Sequence, residues 1–527
     1  MKQVHNNYYT FADMKKYSTL LLFVFAFASI AVAKTKGVKE YRVTSDEKQV
    51  IDGFGASDAW SFWRIGTWED SLQTQVADWL FSTEKGIGLS IWRFNAGAGS
   101  ATQGDSAKIN YDTRTEYFEN QTGQRKFLRL AKERGVPTFL AFYNSPPVHL
   151  TENGLATNTG RGGTLNLRAD AYPDFAKYIA DMLEAAEKED GIHFDYVCPV
   201  NEPDGHWNWQ GPKQEGSPAT NREVAWVARE MSKEFVERGI TTKILINESS
   251  DYRCMLDEHE AGWERGNEIQ CFWNPDSTDT YVGNLPNIAR VMAGHSYWTN
   301  TPVLKPSDKR YEKIGLYGWR KRIADAFKDI DADFWSTELC IMSNDEEIHG
   351  GGGFDFSMEV ALYVARVMHY DLTVANARSW QWWRAAGGNY KDGLIRMYVK
   401  GERTGGRGGA RRSMVQENMV RDSKLMWTIG NFSRFVRPGA VRLDVEGEMA
   451  IDGVMLSAYR NADGKVAVVA INYSKEAQPV KIDAAGKKTA TAYRTSDVEG
   501  ESLKNVGTVK LKDVLLPARS VTTFVCE

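Results

Sequence analysis

Cysteine is scarce in this 527-residue chain: five in all, an odd number, which excludes a fully disulfide-stapled scaffold. Cys254 and Cys271 are close enough in sequence to pair, whereas Cys198 and Cys340 fall in strand-like runs and read as small apolar filling. Histidine is also sparse. Its eight residues show no His-Glu-x-x-His or other paired-ligand spacing, so no catalytic metal is expected, and no other cofactor. Neither sign of charge dominates, with 65 Lys and Arg against 69 Asp and Glu, so there is no basic face of the size nucleic-acid binding needs. No internal repeat is visible. The apolar run Leu20 to Val32 is too short for a comfortable membrane span. Met14-Lys-Lys precedes it and Ala31-Val32-Ala33 ends it, so residues 1–33 read as a cleavable signal peptide, with residues 1–13 upstream of a plausible second start at Met14. No Cys stands at the cleavage site, which speaks against a lipid anchor there. An exported monomer, periplasmic or extracellular and without stable membrane insertion, is expected.

Aromatic residues are abundant, with 17 Trp. Such side chains stack against sugar rings, although core packing also uses them. Val38 to Val50 is one extended segment, and Ile51-Asp-Gly-Phe-Gly-Ala-Ser-Asp then opens a long alternation of strands and helices. Strands are predicted near Phe54 and over Gly88–Ala96, Pro137–Asn144, Asp195–Glu202, Thr242–Glu248, Arg290–Tyr297, Ala332–Leu339 and Ala377–Arg384. Amphipathic runs such as Tyr172–Lys188, Asn221–Arg238 and Ser357–Tyr370 lie between them. Eight such alternations predict an α/β fold, a (β/α)8 barrel over 51–427 with its active site where the strands end. Short strands with a hairpin turn at Asn461-Ala-Asp-Gly follow, so 428–527 reads as an all-β sandwich. The extended segment within 34–50 has no barrel partner left and is expected to join that sandwich. Gly401 to Arg412, rich in Gly and Arg, reads as a mobile loop after the eighth strand.

Within this frame, Phe194-Asp-Tyr-Val-Cys-Pro-Val-Asn-Glu-Pro is the most informative stretch. Alternation along a strand puts Tyr196, Cys198, Val200 and Glu202 on one face, and Pro203 ends the ladder. An acid there is costly unless it is paired or catalytic. Phe334-Trp-Ser-Thr-Glu-Leu-Cys repeats the arrangement, with Glu338 on the face of Ser336 and Cys340. Two carboxyls at two strand ends suit a retaining glycosidase, in which they stand about 5 to 5.5 Å apart. Trp380 and Trp382 share one face of the eighth strand and Gln381 and Trp383 the other. Trp380 or Trp382, the latter favoured, is expected to floor the subsite of the cleaved sugar; either could instead be core. Asp58 and Asn144, ending strands one and three, are candidate hydroxyl ligands. Glu248, ending strand five, is a rival carboxylate, a substrate ligand or a structural acid.

The ordered markers Asp52-Gly-Phe-Gly-Ala-Ser, Ser90-Ile-Trp-Arg-Phe-Asn, Asn144-Ser-Pro-Pro, Asn201-Glu-Pro, His295-Ser-Tyr, Thr337-Glu and Gly430-Asn-Phe-Ser-Arg-Phe-Val-Arg-Pro-Gly resemble glycoside hydrolase family 30. The resemblance covers nearly the whole chain after residue 33, and the first two markers are most similar to the branch of endo-β-1,6-galactanases. It implies Glu202 as acid/base, Glu338 as nucleophile, Asn201 on the sugar 2-hydroxyl, and Arg93 and Tyr297 on the nucleophile, with His295 on the face of Tyr297. The substrate it implies is an oligo- or polysaccharide. Two departures stand out: Val148-His149-Leu150 follows Ser-Pro-Pro where relatives carry an aromatic and Met, which bears on the substrate subsite, and Val200 replaces a common Gln. An exo-acting β-fucosidase or β-galactosidase, a xylanase, and a non-catalytic carbohydrate-binding protein are the alternatives. A pure binder has no need of a buried acid pair.

Overall fold

The structure, a computed structural model, describes residues 37–98, 122–207, 215–302, 314–342, 347–388, 391–404 and 413–527. The segment 1–33 expected to be a signal peptide and residues 405–412 of the Gly/Arg loop lie outside them.

Strand β1 (Lys39–Val50) precedes the parallel strands β2 (Gly53–Ser57), β3 (Ile91–Asn95), β4 (Thr138–Phe142), β5 (Tyr196–Cys198), β6 (Lys243–Ile244), β7 (Glu248–Ser249), β8 (Val291–His295), β9 (Asp333–Glu338) and β10 (Ser379–Gly387). Their order is β6-β5-β4-β3-β2-β10-β9-β8-β7. The two ends of that list belong to one stretch of chain, and parallel bridges Ile244–Ile288 and Asn201–Glu248 join the ends, so the sheet closes as an eight-membered (β/α)8 barrel. The predicted strand 242–248 is thus split: its first half pairs with β5 and its second with β8. Buried runs such as Gly-Phe-Gly-Ala-Ser and Thr-Phe-Leu-Ala-Phe fit strands covered on both faces. Gly55 is needed where β2 meets β3, since a Cβ there would stand 2.9 Å from the Ile91 Cβ.

Local signals set the helices around this barrel. The helix Asn221–Arg238 starts in a capping box between Thr220 and Glu223 and stops at Gly239 in the left-handed region, φ 70°. Gly191 ends Tyr172–Asp190 the same way. No helix among the described residues is long and apolar enough to cross a membrane.

Gly393–Tyr398 and Met419–Arg421 extend the barrel sheet beside β10, while β1 and the strands from Val441 onward build a nine-stranded sheet with its own apolar cluster, which includes Tyr41, Leu456, Ile482 and Phe524. β1 lies inside it, antiparallel to Val441–Glu446 and parallel to Gln478–Ala484. The helix Lys424–Ser433 joins barrel and sheet. Asn431 Nδ2 donates to the Thr523 Oγ1 and Tyr493 carbonyl at 3.1 Å, and Ser433 Oγ donates to the Ile87 carbonyl at 2.6 Å. A Cβ on Gly430 would stand 2.9 Å from Ile87 and Leu503, so the Gly-Asn-Phe-Ser marker is the joint between the two halves. All five cysteines are free and buried, Cys254 and Cys271 included.

Candidate active site

At the carboxyl ends of the barrel strands lies a cleft of about 790 Å³. Asn144, Asn201, Glu202, Tyr297, Glu338 and Trp383 line it. Glu338 is the last residue of β9. Its Oε2 accepts from Arg93 Nη1 at 2.6 Å and its Oε1 from the Tyr297 hydroxyl. A bulge between the β8–β9 pairs Gly294–Ser336 and His295–Glu338 breaks the alternation. Ser336 therefore faces away and accepts from the Tyr252 hydroxyl, a partner it shares with Asp371 of the helix layer, while Glu338 faces the cleft. The shared face predicted for these two residues is corrected by that extra residue.

Glu202 lies four residues beyond β5, not within it, and its φ of 50° is a left-handed conformation that costs a non-glycine residue about 1–3 kcal/mol. Hydrogen bonds hold it there: its N–H donates to the Glu248 carbonyl at 2.7 Å, and its own carbonyl accepts from Trp207 Nε1 at 2.8 Å. The side chain meets the buried His295, with Nδ1 2.6 Å from Oε1. Burial alone would depress the His295 pKa, but Glu338, Glu202 and Glu248 together raise it to about 10. His295 is accordingly protonated at neutral pH and donates from Nδ1.

Arg93 is fully buried and bridges three partners. Besides Glu338 it reaches Glu248 Oε2 with Nη2 at 3.0 Å, and its Nη2 donates to Asn201 Oδ1 at 3.3 Å. Burial pushes the Glu248 carboxyl up, but Arg93 and then His295 outweigh it and bring the pKa down to about 2. Glu248 does not line the cleft; it is the fixed counter-charge of Arg93. For Glu338, burial pushes the pKa above the ordinary value, while His295, Arg93 and the Tyr297 hydroxyl favour the ionised form. Asn201 Nδ2 donates to Asn144 Oδ1 at 2.9 Å, and Asn144 Nδ2 is left without a protein acceptor at the cleft wall.

Glu202, His295 and Glu338 offer ligand atoms within 4.8 Å of one another, close enough to hold a metal ion. The chemistry fits poorly, because Arg93 and protonated His295 already supply the positive charge facing both carboxylates.

Three expected sugar contacts lie elsewhere. Asp58 is fully buried and spends both oxygens inside the protein: Oδ1 accepts from the Asn95 N–H at 2.8 Å and Oδ2 from Gln124 Nε2 at 3.1 Å. Burial raises its pKa to about 7. Trp380 and Trp382 are also fully buried, on the outer face of β10. Trp380 Nε1 donates to Asp371 Oδ2 on the helix Met358–Thr373 at 3.0 Å, and Trp382 Nε1 to the Asp392 carbonyl at 2.7 Å. The opposite face presents Trp383, which meets Trp60 edge-on at 5.3 Å between centroids, while Trp207 and Trp298 complete the aromatic wall. Alternation along β10 separates the two sets without saying which points inward, because both faces are apolar. Trp60, Trp207, Trp298 and Asp392 come from separate loops and carried no sequence signal beyond composition.

A Trp383→Ala change is expected to raise KM about two- to tenfold, the worth of one aromatic platform, with a smaller effect on kcat. Trp380→Phe removes only the bond to buried Asp371 and is expected to lower the melting temperature with KM unchanged. Steady-state kinetics and thermal melts of both variants check this; a KM effect confined to Trp380→Phe would reverse the assignment of faces.

The model of O-glycosyl hydrolase family 30 matches residues 39–396, and that of the family's β-sandwich domain matches residues 439–524. The chain belongs to glycoside hydrolase family 30. A glucuronoxylanase from Bacillus subtilis is 24% identical over 534 residues, covering 98% of this chain and 99% of that one. An endo-β-1,6-galactanase from Hypocrea rufa is 26% identical over 229 residues, 38% of this chain and 47% of that one. Among solved structures, a conserved exported protein from Bacteroides fragilis is 31% identical with a TM-score of 0.81, covering 92% of this chain and all of that one. The family membership makes this an O-glycosyl hydrolase, with its cleft at the expected end of the barrel.

Proposed function

We propose that the protein is an exported retaining β-glycosidase of the endo-β-1,6-galactanase type, with Glu338 as nucleophile and Glu202 as acid/base. The observation that carries this reading is the contrast between the two carboxyls. Each offers an oxygen within 4.8 Å of the other, in keeping with a retaining pair and too close for an interposed attacking water. Glu338 has both oxygens held by donors, which suits an ion that must attack the anomeric carbon. Glu202 has Oε1 held by His295, so its cleft-facing Oε2 is the oxygen that protonates the departing sugar and later accepts a proton from water. Attack by Glu338 forms the glycosyl–enzyme ester as the glycosidic bond breaks; water then releases the sugar, and both carboxyls return to their first states. Asn201, braced by Arg93 and Asn144, is the ligand of the 2-hydroxyl, whose hydrogen bond strengthens in the transition state.

The galactan assignment rests on the first two sequence markers and the partial match to the fungal galactanase, and export on the N-terminal segment and the exported structural relative. The full-length match to a glucuronoxylanase favours a second substrate. Against it, no Lys or Arg stands among the described residues lining the cleft to receive a uronate. A panel of linkage-defined oligosaccharides, followed by NMR, tests both. Internal cleavage of β-1,6-galactan with the β-anomer formed first is expected. An α-anomer formed first would remove the mechanism, and cleavage of glucuronoxylan alone would remove the substrate.

A further inference from the structure

A second cavity, about 990 Å³, opens in the β-sandwich and shares no lining residue with the catalytic cleft. Its base is apolar and fixed, formed by buried Tyr41, Ile482 and Leu511. Its rim carries Lys487 and Lys488 on one side and Lys510 and Lys512 on the other, all exposed. These two segments are tied together by backbone hydrogen bonds, from the Leu511 N–H to the Lys488 carbonyl at 3.0 Å and from the Ile482 N–H to the Leu511 carbonyl at 2.8 Å. The lysines are thus held on a rigid frame and do not hang from a free loop.

Charge is what distinguishes the place. Arg42 and Lys481 at the same rim are paired, with Glu446 and Glu40 respectively. Among the described residues no carboxylate forms an ion pair with the other four lysines. The chain as a whole carries a net charge of −4, so this concentration of unpaired cations does not follow from a basic composition. Like charges gathered on a fixed frame repel one another, and an anion bound between them relieves that repulsion.

We propose that this cavity binds an acidic polysaccharide, a chain bearing one carboxylate on successive sugars, and holds the hydrolase on a mixed polymer while the cleft cuts neutral linkages. Three features favour a uronate chain over nucleic acid or an anionic membrane. The cationic rim is confined to one cavity where nucleic-acid binding uses a broad stripe. Glu40, Glu446 and Asp483 at the rim set hydrogen-bond acceptors among the cations, which a chain with hydroxyls between its carboxylates can use and a bare run of phosphates cannot. The site is built into a domain fastened to a glycosidase barrel through Asn431 and Ser433.

Calorimetric titration of the whole chain with a short oligogalacturonate tests this, with neutral β-1,6-galactan, single-stranded DNA and anionic phospholipid vesicles as comparison ligands. The oligogalacturonate is expected to bind with an affinity that falls as salt rises. The Lys487→Gln, Lys488→Gln and Lys510→Gln, Lys512→Gln variants together should weaken it about tenfold or more, with hydrolysis of a small aryl glycoside unchanged. Equal binding by variants and parent overturns the site, and tighter binding of DNA or vesicles overturns the ligand. Absence of binding to every ligand overturns both, whatever the activity of the catalytic cleft proves to be.

Discussion

Glu338→Ala is expected to lose nearly all turnover on every glycoside, while Glu202→Ala remains active wherever the leaving group needs no proton. The nucleophile is the residue without which no covalent intermediate forms, so no choice of substrate compensates for its loss. The acid matters in proportion to the basicity of the departing oxygen. A dinitrophenyl glycoside leaves as a stabilised phenolate, and Glu202→Ala should still form the intermediate on it. Alkoxide leaving groups of natural disaccharides should suffer about 10²- to 10⁴-fold, the usual worth of a positioned proton donor. Azide separates the roles further. In Glu338→Ala it attacks the free anomeric face and gives an inverted glycosyl azide; in Glu202→Ala it intercepts the intermediate and gives a retained one. Rates on the two substrates with and without azide, and the configuration of the azide product, check this. Equal loss of both substrates by Glu202→Ala, with no azide product from either variant, would overturn the assigned roles. If sugar affinity survived in both variants, the binding-protein alternative would then stand.

Arg93→Met should be the most damaging change outside the two glutamates. It leaves Glu248 and Glu338, both buried, without their guanidinium partner. Breaking a buried pair from one side typically costs about 3–5 kcal/mol, so a large drop in melting temperature should accompany loss of turnover. The pH dependence has a definite sign. Glu248 has its folded pKa depressed to about 2, below its ordinary 4.5, so the ionised carboxylate contributes stability above about pH 4.5 that fades as pH falls through 2. Arg93→Met should flatten that acid-side fall. Adding Glu248→Gln to Arg93→Met removes one of the stranded charges and should recover part of the stability. Activity should not return, because Glu338 still lacks its cation. Thermal melts across the acid range and kcat for the single and double variants check this. A melting temperature close to the parent's in Arg93→Met would show that the network carries no such energy.

Much of this protein is legible in its sequence, and for a local reason. The eight-fold alternation, the amphipathic run Asn221–Arg238 and the hairpin at Asn461 are signals contained within a few neighbouring residues. Glu202 and Glu338 were visible as acids at the ends of apolar runs, where an unpaired charge is too costly to keep without use. Tertiary structure decided the rest. Whether β10 turns Trp382 or Trp383 to the cleft depends on barrel packing, since a strand buried on both faces has no polar side to mark its outside. A bulge in β9, invisible in composition, re-aims Glu338 relative to Ser336. Asp58, an acid at a strand end like the two glutamates, is instead consumed by Asn95 and Gln124, partners that only the closed barrel brings to it. The pairing of His295 with Glu202, and of Glu248 with Arg93, joins strands far apart in the chain. Sequence determined which residues could be charged at the strand ends; the closure of the barrel determined which of those charges meet each other and which face the cleft.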